Sequence, residues 1–249
     1  MQVNPKSLVQ FIYLAITLTA APFVAAKAMT VEPMVIEIAS MGKDAANSFR
    51  VTNTGAAPLP VEITVSRLEV SADGTPSYMP APSDILIYPP QANIQKGAAQ
   101  TFRVQWIGDP ALAKSQTYRL SVSQVPLKMA QGQSGIQITM SFGVVVSVAP
   151  PQAKAAIAVL DARSAKGGDG KSAVALSIKN SGNKQAYMRD AALSLSAGNW
   201  SKKLSSIEVG QRLGLGIIQP GKERRFLLPV EVPGNVSKIT ASIDYQPEK

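Results

Sequence analysis

The stretch Val61-Glu62-Ile63-Thr64-Val65-Ser66 alternates apolar and polar side chains without interruption. Successive side chains of a β-strand point to opposite faces, so a period of two residues predicts a strand that buries one face in a core. The same pattern recurs along the chain in segments that short turn sequences separate: 35–38, 49–51, 85–88, 102–106, 118–122, 157–159, 174–178, 193–195, 207–209, 226–230 and 239–245. No stretch after residue 28 keeps a helical apolar period over three turns, so we predict an all-β protein with antiparallel sheets.

The prolines Pro150 and Pro151 divide the predicted strands into two groups. Paired prolines end ladder pairing and fix φ, so they are expected to form a short stiff linker. About seven short strands follow within about 100 residues, which is the size of an immunoglobulin-like domain. The preceding part fits the same description. We therefore predict two immunoglobulin-like β-sandwich domains in tandem, at 29–149 and 150–249.

The first 28 residues have the composition of an export signal. Lys6 precedes an apolar run over 8–26, and Ala26-Lys27-Ala28 places small residues at the two positions that a signal peptidase reads. We expect a secretory signal peptide at 1–28. An uncleaved membrane anchor is the alternative, and Pro22 together with the small residues favours cleavage. No second apolar run of 18 or more residues follows, so no membrane insertion of the mature chain is expected.

The composition excludes several classes of catalytic site. The chain of 249 residues contains neither Cys nor His, which excludes a thiolate zinc site, a Cys protease and a Ser-His-Asp triad. Its net charge of +9 comes from scattered basic residues without a basic helix, so no nucleic-acid partner is expected. No cofactor or metal is expected either, since the acidic residues lack a cation-loop spacing. A Ser-Lys hydrolase stays open as an alternative, although Ser181-x-x-Lys184 lies in a turn between strands rather than on a helix.

The segment 133–148 does not fit an ordinary edge strand. Its apolar residues alternate with polar ones from Ile136 onward, and no charged side chain occurs over 129–153. Edge strands normally carry charge, proline or a bulge that blocks unwanted pairing. Two interpretations stay open. The segment is either a central strand covered on both faces, or a strand that lends apolar side chains to another protein's groove by β-augmentation.

Several stretches occur in a characteristic order along the chain: Phe49-Arg50-Val51-Thr52-Asn53-Thr54-Gly55, Tyr88-Pro89-Pro90-Gln91 with Lys96-Gly97 after it, Phe102-Arg103-Val104-Gln105-Trp106, Ser115-Gln116-Thr117-Tyr118-Arg119, Gln124-Val125-Pro126 and Ile178-Lys179-Asn180. The ordered set is more specific than any single stretch. In this order, the stretches resemble those of the periplasmic pilus chaperones of the chaperone–usher pathway. The resemblance covers nearly all of 29–249.

This resemblance implies two immunoglobulin-like domains set in an L, with a cleft between them, and a chaperone rather than an enzyme. In such chaperones, the last strand of the first domain enters the groove of a pilus (fimbrial) subunit that lacks its own final strand. The subunit then passes to an outer-membrane usher. By match, the inserted residues here would be Ile136, Ile138 and Met140, with Phe142 or Val144 extending the set.

The chain departs from the family at one pair of positions. Many members bind the subunit's C-terminal carboxylate with an Arg in the first strand and a Lys late in the donor strand. Alignment places Met34 and Val145, or a neighbour of Val145, at these positions. Arg103 and Arg119 are candidate substitutes, because each lies in an otherwise apolar strand and Arg suits bidentate carboxylate binding. The alternative is that both simply face solvent.

A secreted structural or adhesive β-sandwich protein, such as a fimbrial component or a carbohydrate-binding module, is the rival function. It would account for the signal peptide and the strands. It would not account for the uncharged strand before Pro150. We therefore expect a periplasmic pilus-assembly chaperone.

Overall fold

The computed structural model describes residues 29–126, 139–234 and 236–247. The predicted signal peptide at 1–28 lies outside these described residues, as do Ile136 and Ile138 of the predicted donor strand. The strands before Pro150 are, in chain order, β1 (Met29–Glu32), β2 (Val35–Ala39), β3 (Ala46–Asn53), β4 (Leu59–Val70), β5 (Pro76–Pro80), β6 (Ile85–Tyr88), β7 (Gln91–Ile94), β8 (Ala99–Trp106), β9 (Gln116–Gln124) and β10 (Ser141–Ala149).

These ten strands form two sheets around one core. The first sheet has the order β1-β3-β8-β6, and the second has the order β2-β10-β9-β4-β5, with β7 pairing to β4. The chain passes from the first sheet to the second between β1 and β2, at Pro33. Phe49 and Phe102 stack between the sheets with their ring centroids 5.3 Å apart. Burying side chains of this size contributes about 1.5–3 kcal/mol each.

The strands after Pro150 form a second, separate core. They are β11 (Ile157–Lys166), β12 (Ser172–Asn180), β13 (Ala186–Tyr187), β14 (Ala191–Ala197), β15 (Trp200–Leu204), β16 (Ile217–Ile218), β17 (Glu223–Pro229) and β18 (Thr240–Tyr245). Two three-stranded sheets have the orders β11-β12-β17 and β15-β14-β18, and β13 pairs with β16. The two cores share no residue. The predicted all-β class is confirmed.

One predicted strand is wrong. Residues 207–209 belong to helix α1 (Ser206–Leu213), not to a strand. The Ser205 hydroxyl accepts a hydrogen bond from the Glu208 N–H, and the Glu208 carboxylate accepts one from the Ser205 N–H. This reciprocal capping box is written in the sequence as Ser-x-x-Glu and is a helix-start signal. The described residues contain no helix that is long and apolar enough to cross a membrane.

A buried asparagine closes a turn in the first domain. The Asn53 amide donates hydrogen bonds to the carbonyls of Ala57 (2.8 Å) and Ile94 (2.9 Å), and its side-chain oxygen accepts one from the Gly55 N–H (2.9 Å). The Asn53 carbonyl accepts from the N–H of Gly97, which lies at φ 72°. One side chain thus fixes two separate loops of the domain.

The second domain repeats this arrangement. The Asn180 amide donates to the carbonyls of Lys184 (2.7 Å) and Ile218 (3.1 Å), and its side-chain oxygen accepts from the Gly182 N–H (3.0 Å). Its carbonyl accepts from the N–H of Gly221, which lies at φ 75°. The same turn chemistry at equivalent places indicates two domains of one kind.

Candidate functional site

Strand β10 is covered along only part of one edge. On one side it pairs antiparallel with β9 over almost its whole length. On the other side it pairs parallel with β2, starting only where Val145 lies opposite Val35. Within the described residues, the edge of β10 before Val145 therefore has no strand partner.

The backbone groups at this uncovered edge point outward. The Gln124 N–H donates to the Met140 carbonyl at 3.0 Å, which directs the Met140 backbone toward β9. The Val145 N–H donates to the Met34 carbonyl at 2.9 Å, on the opposite edge. Because alternate residues of a strand share an edge, the N–H and C=O groups of Ser141 and Gly143 point to the uncovered edge. An incoming strand could pair with them.

The even-numbered side chains of β10 form an apolar stripe that leaves the core at one end. Three of them are wholly buried in the first core: Val144, Val146 and Val148. Phe142 and Met140 are only partly buried and pack against the rim of this core. Ile138 and Ile136 have the same parity and precede them in the chain. Within the described residues, the stripe therefore changes from wholly buried side chains at Val144 to partly buried ones at Phe142 and Met140.

Val144 differs from the other described residues of the predicted donor set. Val144 is 0% exposed and belongs to the core of its own domain, so its side chain is not accessible to a partner. The sequence pattern could not separate it from Met140 and Phe142, because all three share the same alternation.

The face of the second sheet that points away from the core is called the outer face here. Arg119 of β9 lies on it, directly opposite Val145 of β10. The next pair on this face is Thr117 opposite Ser147, and Thr117 donates a hydrogen bond to Gln185 of the second domain. Arg119 thus lies one residue pair outside the contact between the domains.

The Arg119 side chain lies between Gly143 of the adjacent strand β10 and Tyr78 of β5, which is two strands away. Its Cζ lies 5.0 Å from the ring centroid of Tyr78 in β5. A Cβ built on Gly143 of β10 would lie 2.6 Å from Arg119 Nε. Among the described residues, Nε is buried without a hydrogen-bond partner, and the guanidinium forms no ion pair.

The structure does not bring the other candidate cation to this place. Arg103 is exposed and lies in β8 of the first sheet, opposite Ser48 of β3. It therefore faces solvent, as the alternative interpretation expected. Met34, which occupies the family's Arg position, is 41% exposed and takes part in pairing only through its carbonyl.

Beside Arg119, the two domains meet in a first polar contact. Lys184 Nζ lies 2.6 Å from Glu37 Oε2 in β2. The Ser115 N–H donates to the Asn183 carbonyl at 2.9 Å, and the Ser115 hydroxyl accepts from the Gln185 N–H at 2.7 Å. These bonds join β2 and the residue that precedes β9 in the first domain to the loop before β13 of the second.

A second polar contact joins the turn between β4 and β5 to the second domain. The Gln219 side chain accepts a hydrogen bond from the Val70 N–H (3.0 Å) and donates one to the Leu68 carbonyl (2.8 Å). The Arg225 N–H donates to the Ala72 carbonyl at 2.7 Å. Gln219 thus pairs with the end of β4 as a neighbouring strand would.

Three tyrosines near these contacts are held neutral. Burial, reinforced by the hydrogen bond to Asp84, raises the pKa of Tyr118 well above its usual value. Burial and the negative charge of Glu37 raise the pKa of Tyr187 in the same direction. Burial also raises the pKa of Tyr245 to about 12.

The Ser181 and Lys184 side chains are directed to different partners. The Ser181 hydroxyl donates to the Ala156 carbonyl at 3.3 Å, and the Lys184 ammonium pairs with Glu37. Lys184 is therefore committed to the contact between the domains. This arrangement gives the Ser-Lys hydrolase hypothesis no support.

Sequence reasoning missed Gly143 and Tyr78. A glycine inside an alternating apolar strand is a signal of close approach by another group, and Gly143 carried that signal. Tyr78 carried none, because its contact with Arg119 depends on the order of strands in the sheet.

The comparison with protein families decides the identity. Residues 28–154 match the family described as pili and flagellar-assembly chaperone, PapD N-terminal domain. The chain belongs to the pili and flagellar-assembly chaperones. It is therefore a pilus-assembly chaperone, and its family and fold suggest a non-enzymatic role. No curated protein matches the chain.

Solved structures of fimbrial chaperones share the fold. The class 5 fimbriae chaperone CfaA matches with a TM-score of 0.53 at 12% identity, over 86% of this chain and 98% of that chain. The YadV chaperone matches with a TM-score of 0.53 at 12% identity, over 88% and 92%. A chaperone–tip adhesin complex of CFA/I fimbriae biogenesis gives 0.54 at 12% identity, over 89% and 93%. The prediction of two immunoglobulin-like domains is thereby confirmed.

Proposed function

We propose that this chaperone binds pilus subunits in the periplasm, completes their fold by donating a strand, and delivers them to an outer-membrane usher. The uncovered edge of β10 carries the proposal. It combines outward-pointing backbone groups at Ser141 and Gly143 with an apolar stripe that leaves the core. The family relation supports the subunit as partner and the periplasm as location.

The donated residues are Ile136, Ile138, Met140 and Phe142. Main-chain hydrogen bonds along the edge hold the subunit, while the alternate side chains fill its pockets. Fully burying one such side chain contributes about 1.5–3 kcal/mol. Met140 and Phe142 contribute less than this, because they are already partly buried in the free chaperone.

Arg119 binds a carboxylate of the subunit in this proposal. It is a cation without an ion-pair partner among the described residues, and it lies on the outer face beside the position where the family has its Lys. A planar guanidinium can bind a carboxylate through two parallel hydrogen bonds. Arg103 has no part in the site.

The test places a proline at the uncovered edge. Ser141→Pro removes an N–H that points outward, so it blocks strand addition while keeping the main-chain bonds to β9; the hydroxyl bond to Ser123 is lost in this variant and in its control alike. Ser141→Ala keeps that N–H and is the matched control. Each variant is co-expressed with a pilus subunit, and one-to-one co-purification is measured.

We expect Ser141→Ala to retain the subunit and Ser141→Pro to lose it at least tenfold, with thermal melts close to that of the unchanged chain. Retention of the subunit by a folded Ser141→Pro chain would overturn strand donation at this edge. If the unchanged chain retains no pilus subunit and instead binds glycans, the adhesive alternative holds.

A further inference from the structure

Arg119 forms no hydrogen bond or ion pair through its side chain among the residues described, yet its Nε is buried. A long cation without a polar partner would ordinarily sample several rotamers in solvent. Here Gly143 of β10 and Tyr78 of β5 restrict the Arg119 side chain, and they lie on opposite sides of β9 in the sheet. They determine where the charge is presented on the outer face.

Gly143 supplies space rather than conformational freedom. It lies inside β10 and does not adopt a positive φ, so its backbone requires no glycine. A Cβ at this position would lie 2.6 Å from Arg119 Nε, 3.2 Å from Cζ and 3.3 Å from Nη2. Since these atoms end a flexible side chain, a larger residue would displace the guanidinium and leave the strand intact.

Tyr78 supplies the second restraint. The distance of 5.0 Å from its ring centroid to Arg119 Cζ is within the range of a cation–π contact. The residue is 44% exposed and lies on edge strand β5, which has proline at both ends. Tyr78 therefore lies too far from the uncovered edge of β10 to take part in strand donation, because β9 and β4 intervene.

We infer that Gly143 and Tyr78 are positioning residues that hold the Arg119 guanidinium in place to receive a carboxylate of the subunit. The inference rests on the proposed function, in which Arg119 binds that carboxylate. The site selects for subunits that present an acidic group one residue pair outside the contact between the domains. Neither positioning residue touches the carboxylate itself.

The first arm of the test needs no partner. The order parameter of the Arg119 Nε–H group is measured by NMR in the free chaperone. We expect a rigid group in the unchanged chain and in Tyr78→Phe, which keeps the aromatic face, and a mobile group in Tyr78→Leu and Gly143→Ala. Equal rigidity in all four chains would overturn the inference, whatever the role of Arg119.

The second arm measures the rate at which the chaperone captures a subunit that co-purifies with it. Arg119→Met is expected to slow capture at least tenfold, while Arg103→Met leaves it unchanged. Tyr78→Leu is expected to slow it about two- to fivefold, as befits an exposed cation–π contact, and Tyr78→Phe to leave it unchanged. Gly143→Ala is expected to slow it by more than Tyr78→Leu does.

Gly143→Ala and Tyr78→Leu are each combined with Arg119→Met. In this background, neither substitution should slow capture any further. An equal loss in both backgrounds would mean that Gly143 or Tyr78 acts on the strand edge and not through Arg119, which overturns the inference. An Arg119→Met chain with unchanged capture would overturn the carboxylate role instead. The NMR arm would then still decide whether the two residues position Arg119.

Discussion

At the scale of single residues, Asn53 and Asn180 each hold separate loops of a domain together. Each donates to two carbonyls from separate loops and accepts from a glycine N–H. Asn53 is 1% exposed and Asn180 is 0% exposed, so water cannot replace these bonds. The stretches Asn53-Thr54-Gly55 and Asn180-Ser181-Gly182 are typical of turns, but they do not indicate the distant carbonyls of Ile94 and Ile218.

Asn53→Ala and Asn180→Ala should each destabilise their own domain by about 2–4 kcal/mol, since buried backbone groups lose their partners. Urea unfolding followed separately in each domain measures the change. Asn93→Ala, at an exposed position of β7, is the control and should leave the midpoint unchanged. A loss of less than 1 kcal/mol in both variants would show that water reaches these carbonyls.

At the scale of elements, the sequence predicted the strands well and their neighbours poorly. Alternation at 61–66 and 102–106 identified strands whose inner residues are buried, as in Val61 and Val104. The sequence pattern did not predict helix α1. The helix spans only about two turns, and its signal is the capping box of Ser205 and Glu208 rather than an apolar period. The contact between Arg119 and Tyr78 was not predicted either, because it depends on the order of strands in the sheet, which no local sequence pattern determines.

The stripe on β10 gives the element-scale prediction. Val144→Asp places a charge in the core of the first domain and should unfold it, because a buried unpaired carboxylate is costly. Ile138 has the same parity as Val144 in the sequence and precedes β10, and Ile138→Asp tests the predicted donor segment. It should leave the thermal melt nearly unchanged and abolish co-purification of the subunit. A melt that collapses for Ile138→Asp would place this residue in the chaperone's own core.

At the scale of the whole molecule, two separate polar contacts join the domains. One is built around Lys184 and Glu37, and the other around Gln219 and the end of β4. Two contacts at different places restrict rotation of one domain relative to the other more than a single contact would. The sequence could not reveal them, because no local pattern links residues that lie about 150 positions apart.

The buried tyrosines make stability depend on pH at the alkaline end. The folded chain keeps Tyr118 and Tyr187 protonated beyond the usual pKa of 10, whereas the unfolded chain loses these protons there. The unfolded state then binds fewer protons, so stability is full below pH 10 and falls as the pH rises above it. Urea unfolding at pH 8 and pH 11 measures the fall. Tyr187→Phe should reduce this fall, and Tyr88→Phe, at a residue that is 70% exposed, should not.

The bond from the Val145 N–H to the Met34 carbonyl closes the strand edge at a defined point. In the proposed strand donation, pairing of a subunit strand along β10 would end at Gly143, because the next outward-pointing N–H, that of Val145, already donates to Met34. The bond between β10 and Met34 would thereby limit how far a bound subunit strand extends along β10.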